Sequence, residues 1–518
     1  MGLYALLALL AVPVFPHFLS PNEFTRWALA ASLVERGTLE ISSALPLLGP
    51  TFEDVSEKDG RVYSNKAPGA TLVALPGYVL ARGFSGPPSP SSMRPVLWAM
   101  RLFGATLPLI LLAALLVRTA ARLGGETSRA PLVLCTLLFG TPLFAYGLLL
   151  FAHALVAFCL FAAWACLFVS GNRKVDAATE LVAGALIGLA VASEYPAAVP
   201  GALLVACASW RRSPARLARI VAGGLPFAVA LGLYDRACFG GVFEVSAAHE
   251  RFGGFAALRS HGLFGIGLPS AANLLSLLFD PSKGLLVLSP ILVLALLAFP
   301  AASRVLPRPA SAALVLVPLS LLLLYAGFPD WHGGFNVGVR YLMPAVPFVA
   351  FPLFFRGGGR LEAALVGASV AAVTLTTLAF PFVPPGFPLP WGSFALHFLE
   401  RGLVGPNVLH LVWRPLAIAV PLALVVLAAS TALTRRRAYL ILGATVAVAV
   451  GGAMDRAVPL RPFGRLQRAY IEDVYFDQRG TLEEEIARTG SPQPRLLARR
   501  ERELALPPPP WPFTPASR

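Results

Sequence analysis

Charge is scarce in this chain. Only 13% of its 518 residues are Asp, Glu, Lys or Arg, against roughly 25% in soluble domains, which excludes a water-facing globular enzyme. Acid is scarcer than base: 27 Asp and Glu stand against 42 Lys and Arg, a net charge of +15. Cysteine is nearly absent. Cys135, Cys159, Cys166, Cys207 and Cys238 all lie in or at the ends of apolar segments, with no CxxC and no metal-type spacing, so they read as packing residues. No P-loop, no GxGxxG after a strand, no HExxH and no nucleophile elbow occurs, and nucleotide chemistry is therefore unsupported. The first apolar run, 3–19, lacks a basic n-region and a small-x-small cleavage site and reads as a retained helix. No internal repeat is visible, which speaks against a transporter of two related halves.

What the chain has in abundance is apolar sequence, 56% of all residues. It is divided into runs of about 18–22 residues, each long enough to cross a hydrocarbon core of about 30 Å. They fall near 3–19, 95–117, 131–147, 150–169, 178–193, 195–209, 217–237, 284–302, 309–327, 338–355, 361–382, 415–433 and 438–454, with a short further run at 70–81. The expected fold is all-α, a polytopic transmembrane bundle of about thirteen spans. The 46 glycines and 47 prolines suit membrane helices, whose neighbours re-satisfy broken backbone bonds.

Alternate loops carry Arg118/Arg122/Arg129, Arg173/Lys174, Arg211/Arg212/Arg216/Arg219, Arg304/Arg308, Arg356/Arg360 and Arg435/Arg436/Arg437. The positive-inside rule makes these cytoplasmic, so the positive charge needs no nucleic-acid partner. The segments 20–94, 238–283 and 383–414 then face outward. Residues 1–454 form the membrane domain, with a candidate active site in 20–94; 455–518 form an outer tail, partly disordered and Pro-rich. The tail holds a helix candidate, Thr481 to Arg488, and the run Pro507 to Pro510.

The stretch Pro21 to Ala28 and the stretch Asp59 to Gly69 carry the clearest chemistry. Glu23 follows the first helix directly, and Lys66 sits on a Pro-Gly turn, so a base and a phosphate clamp share one loop. A plain ion pair of Glu23 with Arg26, three residues on, is the structural alternative. Glu53, Asp54, Glu57 and Asp59 form a second acidic cluster, read as a solvated face or an acceptor or metal site, with Asp54 the favoured second carboxylate. In Asp330 to Pro344, glycines and Arg340 at a helix start suit an anion. His153, Glu194 and Asp235 lie where ionisable groups are costly. The loop from Phe239 through His249, His261 and Gly262 to Lys283 and Pro290 reads as a partly amphipathic outer cover that shapes the lipid entrance.

Glu23-Phe24-Thr25-Arg26-Trp27-Ala28 resembles the Asp-Glu-x-Arg-Tyr-Ala motif of the GT-C superfamily, the polytopic glycosyltransferases that use polyprenyl-phosphate sugars, especially the aminoarabinose transferases and protein O-mannosyltransferases. Tyr63-Ser64-Asn65-Lys66-Ala67-Pro68 is similar to the family's Tyr-x-x-Lys-Pro-Pro, with Ala67 for a proline. The stretch Trp331 to Pro344 is similar to its Trp-x-Gly-Gly…Arg-Tyr-Leu-x-Pro. The resemblance covers roughly the first 350 residues. It implies Glu23 as general base, Arg26 as its orienting partner, and Lys66 and Arg340 as donor-phosphate ligands. Tyr63, His153, Glu194, Trp331, His332 and Tyr341 are the candidate cavity-lining residues, with holding helix ends the alternative for His153 and Glu194. It implies inverting transfer from a polyprenyl-phosphate sugar to the hydroxyl of an envelope lipid, glycan or protein, at the outer face of a bacterial-type inner membrane. No cofactor is expected. The superfamily is divided over divalent metal, and no ligand set here is compelling, so no metal ligand is assigned. The rival readings are a transporter or flippase for a lipid-linked or anionic substrate, binding through Lys66, Arg340 and Glu194, and a non-catalytic scaffold.

Overall fold

The apolar runs fold as helices, and the outer surfaces of those helices identify their solvent. In the computed structural model, which describes residues 1–472 except 16–17, 49–53, 90–91, 170–176, 211–213, 459 and 461, five helices are long and apolar enough to cross a membrane: Met93–Arg122, Pro214–Phe239, Arg308–Ala326, Arg360–Ala379 and Thr434–Ala457. Val221, Leu225, Val229 and Leu233 make a stripe at four-residue spacing along Pro214–Phe239, and all four are exposed. In water each such side chain would forgo roughly 1.5–3 kcal/mol of burial; against acyl chains nothing is lost. The chain is an integral membrane protein with an all-α bundle.

Eight further apolar helices among the described residues are shorter, of 10–17 residues. Proline explains the largest departures from the expected spans. The first ends at Ala11, ahead of Pro13. The run 284–302 breaks into Leu285–Leu288, Ile291–Leu296 and Phe299–Val305, with Pro290 at the first break. The run 131–147 stops at Phe139, before Gly140 and Pro142, and a short turn Leu143–Tyr146 follows. The short run at 70–81 lies within a full helix, Gly69–Ser85. The tail candidate Thr481 to Arg488 lies outside the described residues.

The bundle has two chemically distinct ends. At one, the Arg129 guanidinium donates to the Leu353 carbonyl (2.7 Å) and pairs with Glu362, while Glu180 pairs with Arg216 and Arg219. Arginines expected in the cytoplasm thus gather with acidic partners. The helices Ala177–Ser193 and Arg360–Ala379 run from that end to the other, where the segments expected outside collect.

There the first outer segment is folded onto the bundle. Its helix Pro21–Arg36 starts with Pro21, pre-set for a first turn, and stops at Gly37 in the left-handed conformation. An Asp59-Gly60 turn, both residues at positive φ, joins the antiparallel strands Ser56–Lys58 and Arg61–Tyr63. Phe24, Trp27, Val55, Val62, Tyr78 and Phe239 form a second, smaller core beneath these elements. Gly69 opens the next helix hard against the end of Ala177–Ser193: a Cβ there would lie 2.6 Å from the Ala192 carbonyl oxygen. That approach sets Lys66 and Glu194 on one cavity.

Candidate active site

At the end opposite the basic loops, a cavity of about 340 Å³ is lined by segments far apart in sequence. Asn22 and Arg26 come from Pro21–Arg36, Asn65 and Lys66 from the link between hairpin and helix, and His153 from the start of His153–Phe168. Glu194 and Tyr195 come from a helix junction, Glu250, Arg259, Leu263 and Phe264 from the second outer segment, and Arg340 and Tyr341 from the start of Arg340–Phe355. Leu324, Tyr325 and Phe328 make an apolar wall.

Four cations face this space, Arg26, Lys66, Arg259 and Arg340. Arg26 is 3% exposed; its guanidinium donates to the Asn22 carbonyl (2.9 Å) and to the Asn22 side chain, and its Nε is buried with no partner among the described residues. Burial lowers Arg26 to about 10, with Glu194 opposing and Arg340 adding repulsion. Arg340 donates to the Tyr341 hydroxyl (3.0 Å) and lies over the Tyr341 ring at 4.9 Å and the Phe151 ring at 5.9 Å; its Nε is also buried with no partner among the described residues. Tyr341 is in turn stacked on Tyr325 at 4.4 Å. Lys66 Nζ contacts Asp54 Oδ2 at 2.9 Å. Orphaned buried donors are rare in native proteins, and two on neighbouring guanidiniums beside an ammonium make a site able to take an anion with several oxygens.

The carboxylates are paired to different degrees. Glu194 Oε1 lies 2.7 Å from His153 Nδ1. Asp54 is held by Lys66 and by the Asn65 amide; although burial raises its pKa, the Lys66 charge and these hydrogen bonds prevail and keep it below the usual range. Burial likewise lowers Lys66, with Asp54 opposing.

Glu23 lies elsewhere. It is fully buried, its oxygens receive Arg101 Nε (2.8 Å) and a second Arg101 nitrogen (2.6 Å), the Leu150 N–H adds a bond of 2.7 Å, and it does not line the cavity. Arg101 also donates to the Pro13 carbonyl and precedes a π turn, Leu102–Thr106, inside the long helix Met93–Arg122. Three donors hold the Glu23 carboxylate outside the cavity lining, so this geometry does not set it against an acceptor hydroxyl. Arg26, expected to orient Glu23, bonds Asn22 instead.

Of the other expected residues, Asp54, Lys66, His153, Glu194, Arg340 and Tyr341 are brought together, Asp54 through Lys66. Tyr63 packs on Phe239 at 5.7 Å, away from the cavity. Trp331 and His332 are half-buried outside the lining, where His332 Nδ1 lies 3.1 Å from Asp330 and accepts the Gly334 N–H at 3.0 Å. Their stretch serves to deliver Arg340. Gly333 has φ +70°, and a Cβ there would meet Arg340 Nε at 2.9 Å. Lys283, 1% exposed, donates to the carbonyls of Gly334 (3.2 Å), Asn336 and Val383 (2.7 Å), pinning the stretch from behind. Among the described residues no three of His, Cys, Asp and Glu converge as a metal site.

Glu250, Arg259, Tyr325 and Lys283 were not legible as site residues. The run His249-Glu250-Arg251, three consecutive ionisable residues in a glycine-rich, largely apolar segment, is the signal that could have drawn attention to Glu250.

No family model matches the chain, and no curated protein matches it. A structural comparison aligns it with the crystal structure of ArnT from Cupriavidus metallidurans bound to undecaprenyl phosphate, at 16% identity and a TM-score of 0.48, over 91% of this chain and 78% of that one.

Proposed function

We propose that this protein transfers a sugar from a polyprenyl-phosphate donor to a hydroxyl of an envelope acceptor, at the outer face of a bacterial-type inner membrane and with inversion. The observation that carries the reading is the convergence of Arg26, Lys66 and Arg340, from three remote segments, on one cavity with an apolar wall and unpartnered guanidinium nitrogens. A phosphate monoanion on a long hydrocarbon tail matches both halves of that lining. Lys66 and Arg340 hold the phosphate, and Arg26 adds charge beside it; donors positioned in advance stabilise the leaving phosphate with little reorganisation. Leu263, Phe264, Leu324 and Phe328 receive the first isoprene units. Direct displacement from the face opposite the phosphate gives inversion. The resemblance of the Lys66 and Arg340 stretches to the GT-C motifs supports the same assignment, and the arginine-rich loops support the outward orientation.

The test is release of radiolabel from a panel of undecaprenyl-phosphate pentoses and hexoses by purified protein with envelope lipid, glycan and protein as acceptors. Label should leave the carrier, and Lys66→Ala should weaken binding of undecaprenyl phosphate itself. Unchanged affinity in Lys66→Ala contradicts the phosphate role, and a wild type that neither binds undecaprenyl phosphate nor releases label contradicts the function.

A further inference from the structure

Glu250 belongs to none of the motifs above. It reaches the cavity because the two outer segments are stitched together: Ser56 and Glu250 pair as an antiparallel bridge, the Arg251 N–H donates to the Val55 carbonyl (2.9 Å), Ser56 Oγ to the Ser246 carbonyl (2.8 Å), and Ser246 Oγ to the Asn65 carbonyl (2.9 Å). The result is a pair of carboxylates sharing one amide, since Asn65 Nδ2 donates both to Asp54 Oδ1 and to Glu250 Oε2 (3.0 Å). Asp54 spends its other oxygen on Lys66. Glu250 Oε1 has no partner among the described residues, and Glu250 lines the cavity that Lys66 and Arg340 also line.

We propose that Glu250 is the general base that takes the proton of the acceptor hydroxyl, with Asp54 as the fixed anion beside it. This rests on the transfer reading above. In the step, the acceptor O–H gives its proton to Glu250 Oε1 as its oxygen forms a bond to the anomeric carbon. The bond from that carbon to the phosphate oxygen breaks, and its electron pair leaves with the polyprenyl phosphate. No further reactant is needed.

Two close carboxylates cannot both hold full charge at equal ease, and their environments separate them. Lys66 and the amide keep Asp54 ionised, while burial, and next the Asp54 charge, push Glu250 up to about 7. A base half-ionised near neutral pH combines availability with driving force. The charged groups acting on Glu250 are Asp54, Lys66 and Arg259. His249 is engaged elsewhere, stacked on Phe239 at 5.0 Å and 3.2 Å from Glu244.

The experiment compares wild type, Glu250→Gln and Glu250→Asp in label release from the undecaprenyl-phosphate sugars over pH 5–9, with undecaprenyl phosphate binding measured beside it. Glu250→Gln should bind undecaprenyl phosphate as wild type does and lose about 10²-fold or more in kcat. Wild-type kcat/KM should fall as pH drops through about 7, and Glu250→Asp should restore part of the rate with the acid limb displaced. Release by Glu250→Gln within threefold of wild type overturns the base assignment alone. Loss of phosphate binding in Glu250→Gln also overturns it, because the side chain then serves binding. A wild type without binding or release overturns the transfer reading and the base together.

Discussion

Glu23 and Glu250 are both carboxylates near the same end of the bundle, and they are used in opposite ways. Glu23 sits in a saturated site where Arg101 and the Leu150 N–H occupy its oxygens and the surroundings are dry. Glu250 shares a single amide with Asp54, keeps an oxygen free and faces an open cavity. A motif resemblance weights Glu23 and passes over Glu250, yet it is Glu250 that has an oxygen to spare on the cavity. Saturation, more than residue type, separates the carboxylate that holds the fold from the one available for chemistry.

The largest expected effect breaks the saturated pair. Arg101→Ala leaves Glu23 charged and unpaired in a dry site and should cost about 3–5 kcal/mol of stability, read as a lowered unfolding midpoint in detergent; replacing both partners by Leu and Met should recover most of that loss. A midpoint unchanged in Arg101→Ala would show the pair to be dispensable. On the cavity side the same kind of change should spare the fold. Arg340→Ala should keep the wild-type midpoint but bind undecaprenyl phosphate roughly 10- to 100-fold more weakly, the equivalent of about 1.5–3 kcal/mol for a hydrogen bond to a charged group.

Lys283→Met falls between the two regions. It strips a donor from three buried carbonyls, at about 1–3 kcal/mol, and should weaken undecaprenyl phosphate binding by releasing the stretch that delivers Arg340. Normal binding in a destabilised Lys283→Met would make its role structural only. The smallest effect is a pH dependence of stability. The folded-state pKa of Glu250 is raised to about 7, so its contribution to stability is greatest below the ordinary glutamate range and is lost as pH rises through about 7. The midpoint of wild type should therefore drop slightly more than that of Glu250→Gln between pH 5 and 8.

Much of this fold was readable because the membrane imposes it. Runs such as 217–237 and 309–327 have the length and apolarity of a span and fold as Pro214–Phe239 and Arg308–Ala326. The breaks at Pro13 and Pro290 were legible only as prolines, since neighbouring helices decide whether a proline kinks or ends a membrane helix. In the site, Lys66, Arg340, His153 and Glu194 stood out as polar residues at the ends of apolar runs. The fate of Glu23 was hidden because its partner, Arg101, lies 78 residues away, inside the long apolar helix. Glu250 was hidden for a similar reason: it meets Asn65 across 185 residues, through a segment without periodicity. Local pattern reports the solvent of a segment, and it does not report which distant side chain closes a pair.

The comparison of Glu23→Gln with Glu250→Gln tests the account most directly. Both are assayed for label release from undecaprenyl-phosphate sugars at pH 8 and normalised to folded protein. Glutamine at 23 keeps one acceptor oxygen for Arg101 Nε and the Leu150 N–H but sets its NH2 against the second Arg101 nitrogen; the cost falls on stability, which the normalisation removes, so that variant should turn over at a rate close to wild type, while Glu250→Gln should fall by about 10²-fold or more. Turnover lost in Glu23→Gln and kept in Glu250→Gln would contradict the account and return the base to the first helix of the outer segment.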